Sequence, residues 1–460
     1  MADGMNTLDL AILHRHSKPD KNGNSYPVDT IDDRIAEAII ANWDLFIIGG
    51  RFYIYGNGVY KRDENGSIIK TIISGLIYEE LRTDARITRI YRLLLSKDVL
   101  WIGEDALTDM FNPAVNKARR TVINFKNGML DTVTMTMTEH SPADRMINQI
   151  PHEWERDTAP ADTVVNDFLA GILPDADDRE MFLQYVGYAM TTDTHLQKFL
   201  IIAGEGGTGK SVLLRLVQMA IGSANYSGLT LQNLNDRFSP AFLFGKLINI
   251  YADLPSADMS ETNGIKTITG EDPVRAEYKG GAVFHFRPYC KLLYSCNQIP
   301  KSRDDKTSAY YRRLIIINVK QRGPEIPRLE ERLAANVDDF IRLAVEAVHR
   351  MHTERDGVIL ESKNSRDAVQ QLYMDTDTVK AWMIDCNVIR SRGAKVARSA
   401  LYEDYELYCN DEGRPTLSKN GFYSNLREKG FADRKIGGIR YFVDIEIHGD
   451  IDNLQLPFDS

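Results

Sequence analysis

Gly204-Glu205-Gly206-Gly207-Thr208-Gly209-Lys210-Ser211 brackets a Gly-rich run with two glycines and follows it with Lys and Ser. Phe199-Leu200-Ile201-Ile202-Ala203 before it is apolar throughout and predicts a buried strand. Val212-Leu213-Leu214-Arg215-Leu216-Val217 after it predicts a helix apolar on one side. Strand, Gly-rich turn and helix N-terminus in that order make a phosphate-binding loop. Glycines let main-chain N–H groups curl around an anion, and the helix start adds partial positive charge. The expected ligand is a nucleotide with Mg²⁺, held by Gly204, Glu205, Gly206, Gly207, Thr208, Gly209, Lys210, Ser211 and Val212. Lys210 reaches the outer phosphates and the Ser211 hydroxyl holds the metal.

The chain has 460 residues, room for several cores. Its net charge of -9 excludes global basicity as a sign of nucleic-acid binding, so such contacts must come from local basic features. Cys290, Cys296, Cys386 and Cys409 form no close Cys-x-x-Cys pair, which argues against a zinc ribbon or redox motif and for free thiols. No apolar run reaches the length of a membrane span, and Met1-Ala2-Asp3-Gly4 lacks a secretory pattern. These features predict a cytoplasmic protein with no membrane partner.

Working outward towards the N-terminus, 31–41 predicts a helix. Arg51-Phe52-Tyr53-Ile54-Tyr55 and Val59-Tyr60-Lys61-Arg62 predict two strands about a Gly-Asn-Gly turn. Helices are expected near 72–81 and 87–95. Trp43, Phe52, Tyr53, Tyr55 and Tyr60 read as core. The stretch 122–131 is strand-like with an Asn-Gly turn. Pro160 opens a helical pair whose second member, 182–190, leads into the strand before the loop.

Three more apolar runs follow the loop. Leu247-Ile248-Asn249-Ile250-Tyr251-Ala252 ends on Asp253, Lys291-Leu292-Leu293-Tyr294-Ser295-Cys296 ends on Asn297, and Leu314-Ile315-Ile316-Ile317-Asn318-Val319 follows Arg312-Arg313. Apolar strands with polar ends predict an α/β fold on a parallel sheet, its chemistry gathered at the strands' C-terminal ends. Asp253 is placed to hold Mg²⁺ and orient water, and Asn297 to position the attacking water. Between these strands, 274–278 and 282–286 flank Lys279-Gly280-Gly281 and predict a β-hairpin with a lysine at its tip, suited to a phosphate backbone or to discouraging edge pairing.

With these pieces in order, the sequence from about residue 51 to 441 resembles the superfamily 3 helicases of the phage and plasmid type, related to the C-terminal part of the poxvirus primase-helicase. Asn124-Phe125-Lys126-Asn127-Gly128-Met129-Leu130-Asp131 and Gln184-Tyr185-Val186-Gly187-Tyr188-Ala189-Met190 are markers ahead of the motor. The resemblance makes 204–211 the Walker A motif, Asp253 the Walker B carboxylate, Lys266 through Lys279 the motif that supplies a DNA-contacting hairpin, Asn297 the sensor and Arg313 the arginine finger. It implies an AAA+-like core, assembly as a homohexamer, and ATP-driven 3′-to-5′ movement on single-stranded or forked DNA. The family has two neighbouring acids at Walker B; here Ala252 stands beside Asp253, which leaves the general base open.

Helical 330–351 resembles a lid bundle, and charge-rich 352–372 reads as a linker. A helix over 396–409, a second over 418–429 capped by Ser418, and a Gly-turned hairpin over 434–443 follow in the order of a winged helix, similar to tails in this helicase group. Lys419, Asn420, Arg427 and Lys429 would face phosphates from the second helix, with Arg434, Lys435 and Arg440 on the wing. The expected domains are an N-terminal α+β domain (1–125), a helical pre-helicase region (126–196), a P-loop ATPase core (197–322), a lid and linker (323–375) and a winged helix (376–450). The chain starts too close to the motor to hold a primase domain, so a separate primase is expected. The rival readings are an ATP-switched DNA-binding initiator or regulator that never translocates, and an ATPase scaffold that recruits a primase.

Overall fold

The computed structural model describes residues 8–102, 120–156, 162–255, 262–280, 283–300, 308–320 and 325–447. The chain divides into two compact units, one of Met1–Pro300 with Arg312–Ser365, the other of Lys301–Tyr311 with Arg366–Ser460.

In the first unit, strands β1 (His14–His16) and β2 (Pro27–Thr30) pair antiparallel, helix α1 (Asp32–Asn42) follows, and β3 (Leu45–Ile48), β4 (Arg51–Gly56) and β5 (Val59–Arg62) form an antiparallel sheet. Helices α2 (Ser67–Gly75) and α3 (Asp84–Leu95) close this part. Ile35, Ile39, Ile47, Phe52, Ile54, Ile73, Ile90 and Leu94 make one core. Phe52, Tyr53 and Tyr60 are buried, as read from the sequence. The helix expected over 72–81 instead begins at Ser67 and ends at Gly75, with a 3-10 turn at Glu79–Leu81. The hairpin of β6 (Val122–Phe125) and β7 (Gly128–Asp131) turns through Lys126-Asn127, one residue ahead of the expected Asn-Gly pair because Gly128 already pairs with Phe125, and is extended by β8 (Thr136–Thr138). Pro160 lies outside the described residues; α4 (Val164–Ile172) and α5 (Ala176–Ala189) form the expected helical pair.

The centre of this unit is a five-stranded parallel sheet. Its strands are β9 (Phe199–Ala203), β10 (Tyr226–Ser227), β11 (Ile248–Tyr251), β14 (Lys291–Cys296) and β15 (Leu314–Asn318), in the order β10-β11-β14-β9-β15. β9 and β14 are buried at every position because helices cover both faces. Between β9 and β10 lies α6 (Lys210–Ile221); between β11 and β14 lie α7 (Asn263–Thr269) and the antiparallel hairpin β12 (Val274–Glu277) and β13 (Val283–Phe286). After β15 the helix expected over 330–351 is broken at Asn336 into α8 (Leu329–Ala335) and α9 (Val337–Glu354).

The linker expected over 352–372 is largely helical. α9 runs to Glu354, and α10 (Lys363–Thr376) begins where the Ser362 hydroxyl accepts the Ser365 amide at 3.0 Å. Ser365 and Leu372 are buried, with Ala368 and Val369 half-buried between them, so one helical stripe is apolar while the charges face water.

The second unit packs α11 (Thr378–Asp385), α12 (Arg398–Asp411) and α13 (Lys419–Glu428) against a three-stranded sheet of β16 (Lys395–Ala397), β17 (Ala432–Ile436) and β18 (Ile439–Val443), ordered β16-β18-β17. Trp382, Leu401, Tyr405, Phe422, Leu426 and Phe442 form its core. The helix expected from 396 starts later, at Arg398, because Lys395–Ala397 pair with β18. Ser418 caps α13 as expected, accepting the Gly421 amide. Both units are mixed α/β, and among the described residues no helix is long and apolar enough to cross a membrane.

Candidate functional site

β9 delivers the chain to Gly204 at the C-terminal edge of the parallel sheet. A Cβ there would stand 2.3 Å from the Val319 carbonyl oxygen, so only glycine lets the chain leave the sheet at this point. Gly209, in the left-handed region at φ 95°, caps α6, and Lys210 is the first helical residue. The first-turn amides of α6 therefore open towards the loop without helical partners. A Cβ built on Gly206 or Gly207 meets nothing within 4 Å, so the loop's main chain borders open space.

The Lys210 ammonium is buried and turned back on the loop. It donates to the carbonyls of Gly204 at 2.6 Å and Glu205 at 2.7 Å, and to Asn297 Oδ1 at 3.3 Å. Thr208 Oγ1 donates to the Glu205 carbonyl and ties the loop to itself. Ser211 is exposed at the helix start, and Val212 behind it is half-buried.

Asp253 leaves β11 at φ 59° with an exposed side chain. The neighbouring β14 holds it, since Ser295 Oγ accepts the Asp253 amide at 3.3 Å and the Ser295 carbonyl accepts the Leu254 amide at 2.8 Å. Cys296, last in β14, is pushed up to about 12 by burial; Lys210 lowers it and Asp253 raises it, so both charges act on this one thiol. Because β14 lies between β11 and β9, Asp253, Asn297 and Lys210 collect at one edge of the sheet. Ala252 beside Asp253 is exposed and supplies no second carboxylate. The arrangement fits a nucleotide polyphosphate with a divalent cation: a lysine and free helix-start amides for phosphate, and a hydroxyl and a carboxylate for the metal.

Arg313 is not part of this edge. It precedes β15, its carbonyl accepts the Phe199 amide, and it thus sits where β9 begins. A five-residue strand is about 16 Å long. The Arg313 guanidinium is buried, donating from Nε to Thr269 Oγ1 at 3.1 Å and from Nη2 to Gln197 Oε1 at 3.3 Å. Arg312, next to it, is exposed. The resemblance singled out Arg313 over Arg312; the residue pattern itself does not separate the two, because β15 is buried at four of its five positions and gives no alternation to phase them.

Lys279 follows β12 and is exposed with Gly280; Gly281, third in the expected tip, lies outside the described residues. The hairpin is braced from the first antiparallel sheet: Arg62 Nη1 donates to the Tyr278 hydroxyl at 2.7 Å, and Tyr278 stacks on Phe284. Lys266 is half-buried on α7. Sequence reading passed over Arg237, Phe238 and Arg275. Arg237 lies over the exposed Phe238 ring, and Arg237 and Arg275 both pair with Glu277 beside a cleft of about 260 Å³. The Asp-Arg-Phe run at 236–238, basic and aromatic residues side by side, was the available signal.

In the second unit Lys419, Asn420, Arg427, Arg434, Lys435 and Arg440 are exposed. Lys419 Nζ lies over the Tyr402 ring, Arg427 Nε donates to the Tyr423 carbonyl, and Arg440 pairs with Asp433 at 3.5 Å. Lys429 departs from the expectation: its ammonium is paired with the buried Asp377, an internal tie rather than a free phosphate contact.

The fold is mixed α/β, built on a five-stranded parallel sheet whose C-terminal edge gathers Lys210, Asp253 and Asn297. Residues 33–187 match the family described as D5 N terminal like, and residues 202–313 match a family of unknown function (DUF5906). The chain is 30% identical over 131 residues to "Uncharacterized mitochondrial protein ymf21" of Marchantia polymorpha, covering 26% of this chain and 72% of that protein. The chain belongs to the same family as that mitochondrial protein. It is also 26% identical over 208 residues to "Putative helicase L207/L206" of Acanthamoeba polyphaga mimivirus, covering 43% of this chain. Identity to "Putative helicase 121R" of Invertebrate iridescent virus 3 is 25% over 210 residues, 42% of this chain. The matches span 21% and 22% of those viral proteins, about a fifth of each. Among solved structures, the A form of the apo NrS-1 C-terminal region superposes with a TM-score of 0.52 at 15% identity, covering 89% of this chain and 99% of that one, a likeness of fold.

Proposed function

We propose that this chain is an ATP-driven DNA helicase serving replication of a phage, plasmid or other mobile element. The observation that carries the reading is the convergence of Lys210, Asp253 and Asn297 on one sheet edge around a strand–loop–helix turn. When bound, ATP would be the source of the transferred phosphoryl group and Mg²⁺ would supply positive charge against the charge developing on it. Loop amides and the Lys210 ammonium would hold the outer phosphates, Ser211 and Asp253 would hold the metal, and Asn297 would orient the attacking water. Asp253 is the one carboxylate the reading places at the β11 end for polarising that water.

An arginine at the opposite end of β9 stands about 16 Å from its own loop, so it serves a loop in a neighbouring copy. Arg313 is committed inside its own chain, and the trans role falls to the exposed Arg312. Copies arranged head-to-tail in a ring, a homohexamer in this reading, place each Arg312 against the next subunit's loop. Lys279, Arg237 and Phe238 then contact single-stranded DNA, Lys266 sits in the helix ahead of the hairpin, and 3′-to-5′ movement follows from likeness to superfamily 3. The second unit acts as a winged helix that meets DNA through Lys419, Arg427, Arg434, Lys435 and Arg440.

The test is unwinding of a forked duplex with ATP and Mg²⁺, run beside a mass measurement of the assembly. Strand displacement and DNA-stimulated turnover by a hexamer are expected. ATP-dependent DNA binding without displacement would establish the switch instead.

A further inference from the structure

The hairpin of β17 and β18 ends in an apolar point. Ile436 and Ile439 pair across it and are 41% and 54% exposed, and a Gly437-Gly438 turn with both φ positive joins them. A Cβ on either glycine would meet nothing within 4 Å, so the turn stands open among the described residues. Such two-residue turns twist with the strands and hold the hairpin's register. β-branched isoleucines have few rotamers, so this tip is stiff.

The residues around it are basic. Side chains alternate across the sheet, and Ile436, Ile439, Arg434 and Tyr441 share one face with Lys395, whose ammonium lies 5.3 Å from the Tyr441 ring centre. Lys435 and Arg440 pair on the other face. The three strands carry one acid, Asp433, whose side chain is 6% exposed and paired with Arg398 and Arg440. An apolar point between arginines and lysines, with no free acid on the strands, matches a polyanion that has apolar planes between its charges. That is duplex nucleic acid, with phosphates for the basic side chains and a base step for the isoleucines.

We infer that Ile436 and Ile439 form a wedge that enters a base step of duplex DNA and partly unstacks it, while Arg434, Lys435, Arg440 and Lys395 hold the flanking phosphates. This rests on the winged-helix reading above and adds to it a deformation of the duplex. The bare Gly-Gly turn is narrow enough to lead the tip into a minor groove about 6 Å wide.

The experiment measures affinity for a duplex carrying 2-aminopurine, and the fluorescence rise that reports its unstacking. The full chain is compared with Ile436→Ser/Ile439→Ser, Ile436→Val/Ile439→Val and Arg434→Ala/Lys435→Ala. Wild type should bind with a rise in fluorescence. The serine pair should lose the rise and bind about tenfold more weakly with an unchanged salt slope, because the phosphate contacts remain. The valine pair should keep most of the rise, and the Arg434/Lys435 pair should bind with a shallower salt slope. Both isoleucines are exposed, so thermal melts of the variants should match wild type. A serine pair that binds and brightens like wild type overturns the wedge while leaving the winged-helix reading intact. A wild-type chain that does not bind the duplex overturns both.

Discussion

Lys210 Nζ lies 3.3 Å from Asn297 Oδ1, joining the loop after β9 to the end of β14. The same ammonium is held by two loop carbonyls, so the loop is preformed and its cation is parked on the main chain. A phosphate would draw it off those carbonyls while Asn297 stays within reach. In the proposed function, phosphate binding and water positioning would thus be coupled through one side chain.

Lys210→Ala should therefore abolish ATP hydrolysis, with a loss of about 10²-fold or more, because the charge on the transferring phosphoryl group loses the one side-chain cation the loop supplies to it. The chain should remain folded, since the deleted contacts are to loop carbonyls at the sheet edge. Steady-state ATPase assays beside a thermal melt check this. DNA-stimulated turnover near the wild-type rate would remove the site assignment.

Arg312 and Arg313 should separate cleanly. A finger from a neighbouring subunit accelerates phosphoryl transfer by about 10³–10⁵, so Arg312→Ala rings should be nearly inactive. Mixing them with Lys210→Ala subunits should restore hydrolysis where an intact loop meets an intact arginine. Arg313→Ala leaves Thr269 and Gln197 without their buried partner and should lower the melting temperature. Mixed rings that recover with Arg313→Ala in place of Arg312→Ala would return the trans role to Arg313.

Lys291 opens β14 and is 3% exposed, with its ammonium donating to the Thr191 carbonyl at 2.6 Å and lying 4.7 Å from the Tyr188 ring centre. Burial pushes it down to about 7, with Asp193 opposing the shift. In the unfolded chain it titrates near 10.5. Between these values the unfolded state binds more protons than the folded one, so this group's contribution to stability rises from about pH 7 towards pH 10.5 and is lost as pH falls through 7. Denaturant melts between pH 7 and 9.5 should show that rise in wild type relative to Lys291→Met. The difference between the two is needed because the buried Cys290 thiol, raised to about 12, works in the opposite direction above pH 9. A pH-independent difference would show that Lys291 keeps an ordinary pKa.

The parallel strands and the residues at their ends were readable because strands buried on both faces are continuous apolar runs, and Asp253 and Asn297 interrupt them abruptly. The β6–β7 hairpin, to within one residue of its turn, and the Ser418 cap were readable because they are local chemistry. What escaped was set at long range. Lys429 looks like a surface cation until Asp377, far away in sequence, is folded against it. Nothing in the sequence marks Lys291, the first residue of an apolar run, as buried, yet it lies against Thr191 and Tyr188. The charge-rich run before α10 hides its helix because only Ser365, Ala368, Val369 and Leu372 mark the inner stripe.

Lys279 should couple hydrolysis to DNA movement rather than take part in hydrolysis. It is exposed just beyond β12, and its hairpin leads through β13 into β14, the strand that ends on Asn297. A change at Asn297 when the γ-phosphate leaves therefore has a short covalent path to the hairpin, while Arg62 holds Tyr278, next to Lys279 at the hairpin's tip end. In a ring the lysines share one channel and each takes one phosphate of a single strand. Lys279→Ala should keep basal ATPase activity but lose DNA stimulation and fork unwinding. Its single-strand binding should fall less steeply with salt, by about 0.7 in the log–log slope for each lysine engaged. Salt titrations by fluorescence anisotropy measure that slope. A variant that unwinds like wild type with an unchanged slope would reduce Lys279 to a solvated turn residue and move the channel contact to Arg237 and Arg275 beside it.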